Sequence, residues 1–131
     1  MSFQHDHIVH LVIPGRPAIL KNSKRVISRG AGRRAIVLPS ITYVKWEQHA
    51  ALWLQRSFRG CLIDYQVTAE FRFFFENRKS EPDVSNLIEG PADVMQKVGI
   101  LKNDRLIVRL TAEKFFGHDP RTEIDLYRRF P

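Results

Sequence analysis

Residues Glu81–Asp104 read EPDVSNLIEGPADVMQKVGILKND, and they string Asp83, Glu89, Asp93 and Asp104 through a chain whose formal charge is +7. Pro82 fixes an extended approach to Asp83. From there Val84, Leu87, Ile88, Val94, Met95 and Val98 form a helical stripe that ends at Gly99, a C-cap residue. Gly90-Pro91 interrupts that stripe, so an irregular first turn is expected, with Pro91 early in the helix where its missing N–H does least harm. A continuous helix from about Asn86 to Val98 would span roughly 18 Å at 1.5 Å per residue, with Asp83 and Asp104 at its flanks. The two acids therefore meet in one chain only if the helix is short or the residues after Val98 run back along it. Otherwise a second subunit must supply one of them.

Outward from this stretch, both flanks read as strands. On the N-terminal side, Tyr65–Glu76 (YQVTAEFRFFFE) alternates Tyr65, Val67, Ala69, Phe71, Phe73 and Phe75 against polar residues, the period of a strand buried on one face. Phe74 breaks the polar side, as a surface residue, a dimer contact or a wedge into DNA. On the C-terminal side, DRLIVRLTAEKFF predicts a strand with Leu106, Val108, Leu110 and Ala112 on one face. The turn Gly117-His118-Asp119-Pro120 then leads into TEIDLYRRF, expected to pair with it as a hairpin.

Further upstream, Tyr43, Trp46, Ala50, Trp53 and Leu54 recur at helical spacing. They predict a helix over Thr42–Ser57, capped by Ser40 or Thr42, with both tryptophans in the core. Ile8–Ile13 is a β-branched run stopped by Pro14-Gly15, and Ala35–Leu38 is a candidate short strand. The order β, loop, α, β, α, β, β implies an α+β fold: one domain over residues 1–131, a mixed β-sheet with two helices packed on one face.

Composition narrows the partner. A pI near 10 favours a polyanion, most simply nucleic acid. No apolar run approaches the roughly 20 residues of a membrane span, and the N-terminal sequence lacks a signal-peptide layout, so no membrane partner and a cytoplasmic location are expected. Cys61, alone, is read as a core or boundary residue, and His5, His7 and His10 as exposed or structural. Between Arg16 and Arg34 the periodicity dissolves into a basic loop, where Lys21, Lys24, Arg25, Arg29, Arg33 and Arg34 are candidates for phosphate contact. Arg78, Lys79 and Arg105, flanking the acidic stretch, join them.

Carboxylates are the hard oxygen ligands that Mg²⁺ selects, and in nucleases such an ion binds the scissile phosphate and activates water. Acids near a helix N-terminus are also common for dipole reasons alone, so spacing leaves the metal reading open. The block PDVSNL followed by Asp93, Gly99, Asn103 and Asp104 resembles the centre of RusA-type Holliday junction resolvases. There an acid, a second acid two residues on, Asn-Leu, a Lys, a helical Asp and a closing Asp-Asp recur. PGRPAILKNSKR and SITYVKWEQHA resemble that family's N-terminal turn, basic loop and first helix.

The resemblance implies a homodimer that binds branched DNA at four-way junctions and cuts it by Mg²⁺-dependent phosphodiester hydrolysis. Carried over, Asp83 and Asp104 match catalytic metal-binding acids. Ser85 stands in place of the second acid, Glu89 in place of the Lys and Asn103 in place of the penultimate acid. Glu89 is then a candidate third catalytic and metal carboxylate, with Lys79 or a nearby Arg as the cation. Two alternatives stay open at this point: a diverged branched-DNA-binding protein that cuts weakly or not at all, and an unrelated α+β protein whose acids cap a helix.

Overall fold

The computed structural model describes residues 5–20, 24–27, 30–32 and 36–130. Along them run β1 (His5–Pro14), β2 (Lys24–Ile27), β3 (Ile36–Pro39), α1 (Ile41–Ser57), β4 (Val67–Phe75), the one-turn α2 (Val84–Leu87), α3 (Glu89–Lys97), β5 (Ile107–Phe116) and β6 (Arg121–Arg129). The main sheet has the order β1-β6-β4-β5, antiparallel except for the parallel β4–β5 pair, and β2 and β3 form a separate two-stranded sheet. Mixed sheet and helices together make the α+β fold that the element order predicts.

The alternation in YQVTAEFRFFFE makes β4 the centre of this sheet. Val67, Ala69, Phe71, Phe73 and Phe75 point to one side and are buried. They pack with Ile124 and Leu126 of β6, Leu11 and Ile13 of β1, Ala50 and Leu54 of α1, and Leu87, Val94 and Met95 of the second helical segment. Removing a side chain of this size from water stabilises the fold by roughly 1.5–3 kcal/mol, so the three phenylalanines are major contributors to the core.

Ser40 starts α1 as its side-chain oxygen accepts the Tyr43 N–H at 3.1 Å, and the Phe58 N–H closes its end on Leu54 O. The expected helix is therefore present to within a residue. Between α1 and α3 the fit is close: a Cβ on Gly90 would stand 3.0 Å from the Trp46 ring, so only glycine lets α3 approach here without a shift.

Several expectations are corrected. β5 and β6 are not a hairpin, because β4 lies between them and is bonded to both. The Gly117–Pro120 turn instead crosses the C-terminal end of β4, where the His118 N–H donates to Phe75 O at 3.3 Å. A turn signal marks a reversal but does not say which strand accepts the returning chain. In β5 the register slips past Val108, so Ile107 pairs at Val67 and Arg109 at Thr68. That bulge removes Val108 from the face of Leu110 and Ala112 and puts Ile107 there instead, while Leu106, in the 3₁₀ turn before the strand, still packs against the core.

The basic segment is not all loop, since β-branched Val26 and Ile27 carry β2 against β3. Trp46 is in the core as expected, but Trp53 is 45% exposed, and Cys61 is exposed. Phe74 is buried by its own chain, stacked on Phe115 with the Arg121 guanidinium 3.8 Å from its ring centroid, and so is not available as a wedge.

Candidate active site

Pro91 lacks the N–H that a continuous helix would direct back at Leu87. The helical run accordingly divides into α2 and α3, with Ile88 between them and the Ala92 N–H returning to Ile88 O at 3.2 Å. Ser85, Ile88, Glu89 and Ala92 still keep the i, i+3, i+4, i+7 spacing of one helical face. They line one side of a shallow cavity of about 330 Å³, whose other side is Asp104, Ile107 and Leu110.

Asp104 reaches that cavity because the chain runs back along α3. Gly99 adopts φ +82°, and the Ile100 and Leu101 N–H groups close on Met95 O at 3.0 and 3.2 Å. Leu101 then bridges to Ile63 in parallel. Two side chains hold the Asp104 backbone. Gln96 Oε1 accepts the Asp104 N–H at 3.0 Å, and Asn103 Oδ1 accepts the Arg105 N–H at 2.9 Å at the start of the 3₁₀ turn Asp104–Leu106. Asn103 thus performs by its carbonyl oxygen the backbone bond that an aspartate would make. Gln96 escaped the sequence reading because one glutamine on a polar helix face carries no signal; its part depends on where the returning chain falls.

Glu89 and Asp104, with Ser85, are therefore brought to one cavity. Asp83 is not among its lining residues: it is exposed at the N-cap of α2, two residues before Ser85, and its carbonyl accepts the Asn86 N–H at 3.0 Å. Two peptide links limit the Asp83 and Ser85 Cα atoms to about 7 Å apart, so Asp83 stands beside the cavity. Asp93 points elsewhere, 3.1 Å from Lys97, whose Nζ also donates to Glu47 at 3.0 Å.

No cluster of three or more His, Cys, Asp or Glu side chains at metal-binding distance occurs among the described residues. The donors that do converge, two carboxylates and a hydroxyl open to solvent, nevertheless suit a hard cation. Mg²⁺ is commonly held by one or two carboxylates and keeps waters or phosphate oxygens on its remaining positions.

The expected cations are dispersed. Arg105 is exposed next to Asp104, its Nε donating to Asn103 Oδ1 at 3.2 Å. Arg78 is exposed over the Phe116 ring and 3.5 Å from Glu81; Lys79 is exposed, and its carbonyl accepts a bond from Arg16. Lys24 and Arg25 fall on β2, their side chains outside the described residues, as are Lys21, Arg29, Arg33 and Arg34 altogether. The sequence reading missed Lys114, which donates from the helix side of β5 to Pro82 O at 3.0 Å and lies 3.6 Å from Glu81. It thereby anchors the segment entering Asp83.

A second set of carboxylates occupies the opposite face of the sheet. Asp125, nearly buried, receives Arg72 together with His7 Nε2 at 2.7 Å and His10 Nδ1 at 3.0 Å. Burial alone would raise its pKa, but these hydrogen bonds outweigh burial and bring it down to about 2. Arg121 and Arg72 likewise outweigh burial at Glu123 and lower its pKa. His7 and His10 are thus structural, within the exposed-or-structural expectation, and the His5 side chain lies outside the described residues.

Residues 14–127 match the endodeoxyribonuclease RusA family. The chain belongs to the RusA family. The crossover junction endodeoxyribonuclease RusA of Aquifex aeolicus (strain VF5) is 33% identical over 86 residues, 66% of each chain. The matched span begins at the end of β1, crosses the whole cavity and closes in β6, so it takes in every residue placed in the site above.

Proposed function

We propose that this RusA-family protein is a metal-dependent, structure-specific endonuclease that cuts branched DNA at four-way junctions by phosphodiester hydrolysis, acting in the cytoplasm in DNA recombination and repair. The observation that carries the reading is the pairing of Glu89 and Asp104 across one open cavity, with no cation bonded to either carboxylate among the described residues. Carboxylate oxygens open to solvent on one cavity are the hard donors that Mg²⁺ takes, with water or phosphate on its remaining positions.

Glu89 and Asp104 would hold Mg²⁺, with Asp83 beside them as a further carboxylate and the Ser85 hydroxyl as a neutral oxygen on the same cavity. Bound there, the ion would polarise the scissile phosphate and lower the pKa of an attacking water. Gln96 and Asn103 keep the Asp104 backbone in place while the substrate enters. Arg105, at the rim, neutralises a flanking phosphate, and Arg78 and Lys79 with Lys21, Lys24, Arg25, Arg29, Arg33 and Arg34 extend the contact along the backbone. The homodimer would form along β5, an edge with no pairing strand among the described residues, on which Val108 and Leu110 are each 43% exposed beside the cavity.

Ser85 favours a second reading, a branched-DNA-binding protein that cuts little, since a hydroxyl is a weaker ligand for Mg²⁺ than the carboxylate it replaces. A synthetic four-way junction incubated in Mg²⁺ and in EDTA separates the two. Symmetric nicking in Mg²⁺ alone is expected, increased by Ser85→Asp. Tight binding without nicking in either protein would leave the binder.

A further inference from the structure

The outer surface of α1 is free of acid. Its one carboxylate, Glu47, turns toward α3 and accepts from Lys97 Nζ at 3.0 Å. What remains outside is neutral or cationic: beside Gln48 and Gln55 stand Lys45, His49, Leu52, Trp53 and Arg56, with Leu52 54% and Trp53 45% exposed. His49 Nε2–H donates to Pro14 O at 2.7 Å, which ties the imidazole to the end of β1. That ring meets the Trp53 indole edge-on, with centroids 6.3 Å apart, so the exposed indole is braced from one side. His49, Leu52, Trp53 and Arg56 enclose a hollow of about 130 Å³. Among the described residues neither Lys45 nor Arg56 is in an ion pair, and both charges are available to a ligand.

A braced, exposed indole flanked by free cations is the composition that binds single nucleic-acid strands: bases stack on the ring and phosphates take the cations. A purely apolar partner would have to desolvate Lys45 and Arg56 without compensation. We propose that Trp53 is a stacking platform for an unpaired or branch-point base of DNA, with Lys45 and Arg56 on the adjoining phosphates. The proposal rests on the DNA-cutting reading for its substrate and adds a contact apart from the cutting site. α1 packs over β1 and α2 over β5, the two edges of the sheet, three strand spacings or about 14 Å apart. Platform and cavity would therefore hold different parts of one branched molecule.

The test uses the full chain in EDTA, where binding is read without cutting, with a short oligo(dT) and a four-way junction as probes. Trp46 is buried, so a change in indole emission on binding reports Trp53. DNA is expected to quench the emission and shield it from acrylamide, and Trp53→Phe should keep most of the affinity while losing both signals. Trp53→Ala should weaken oligo(dT) binding by about 5- to 150-fold, and Arg56→Gln should reduce the salt slope by about 1. Circular dichroism checks that each variant is folded.

Failure to bind either probe overturns the proposal, as does binding with unchanged emission and unchanged affinity in Trp53→Ala. A change from dimer to monomer by sedimentation in Trp53→Ala would also overturn it and give this face to a second copy. Quenching by DNA in a protein that never nicks the junction in Mg²⁺ would sink the nuclease reading and leave the platform standing.

Discussion

Two sets of carboxylates, one on each face of the sheet, are treated in opposite ways. On the outer face Asp125 takes bonds from one arginine and two histidines, and Glu123 is held by Arg121 and Arg72. On the helix side, Glu89 and Asp104 line one cavity with no such partner among the described residues. Scarcity of cations does not explain the difference, because the chain has 21 basic residues against 14 acidic ones. Acids fixed between neighbouring strands are matched by cross-strand partners at set spacing. The cavity acids instead come from a helical face and a returning turn, and Lys97, the nearest cation on α3, is engaged by Asp93 and Glu47 on the side toward α1. What sets Glu89 and Asp104 apart from the other unpaired acids is that they line one cavity together with the Ser85 hydroxyl, the arrangement on which the proposed cation site rests.

Removing one carboxylate from each face should break the comparison most sharply. Asp104→Asn keeps the shape of the turn and takes away charge, so junction cleavage should fall by on the order of 10²- to 10³-fold, as when a group stabilising the transition state is lost. Junction binding in EDTA and the midpoint of urea unfolding should stay near wild type. Asp125→Ala should do the reverse: Arg72 keeps Glu123 and Glu70 but loses its bond to Asp125, as do His7 and His10, and losing charged hydrogen bonds of this kind costs about 1.5–3 kcal/mol in unfolding free energy. Cleavage per folded molecule should be unchanged. Equal stability losses in the two variants would refute the division.

Acid sharpens the same contrast without mutation. The Asp125 pKa is about 2 in the folded protein against a reference of 3.8, so its stabilisation is fully present above pH 3.8 and is lost as pH falls through 2. The amount is about 2 kcal/mol. Urea titrations between those pH values should show the loss in wild type and a smaller slope in Asp125→Asn. An equal slope in both proteins would mean that the acid sensitivity lies elsewhere.

Periodicity exposed one half of this arrangement and hid the other. The alternation in Tyr65–Glu76 and the stripe through Val84, Leu87, Val94 and Met95 report burial directly, because each counts faces of a single element. Pro91 likewise announced the broken helix that makes room for the cavity. The β5–β6 connection was illegible, since the same Gly117–Pro120 turn serves a hairpin or a crossing over β4, and only pairing energies spread over three strands choose between them. The one-residue slip at Val108 exchanged Val108 for Ile107 at the start of β5 for a similar reason: a bulge is fixed by the partner strand. Asp104 could be named from its neighbours in the RusA pattern, but its meeting with Glu89 depends on the path from Gly99 to Asn103, which no local spacing encodes.

Gln96 tests whether that path matters to the chemistry. Its side-chain oxygen accepts the Asp104 N–H from an exposed position, so the bond should contribute only about 0.5–1.5 kcal/mol to folding. If it also aims the carboxylate, Gln96→Leu should lower Mg²⁺-dependent cleavage by about 10-fold, the lower end for an outer-shell partner of a metal ligand, and raise the Mg²⁺ concentration needed for half-maximal rate. Gln96→Glu retains an acceptor at the same reach and should recover most of the rate. A purely structural glutamine would shift the unfolding midpoint and leave the Mg²⁺ dependence alone, in which case Asn103 would be the side chain that holds Asp104 toward Glu89.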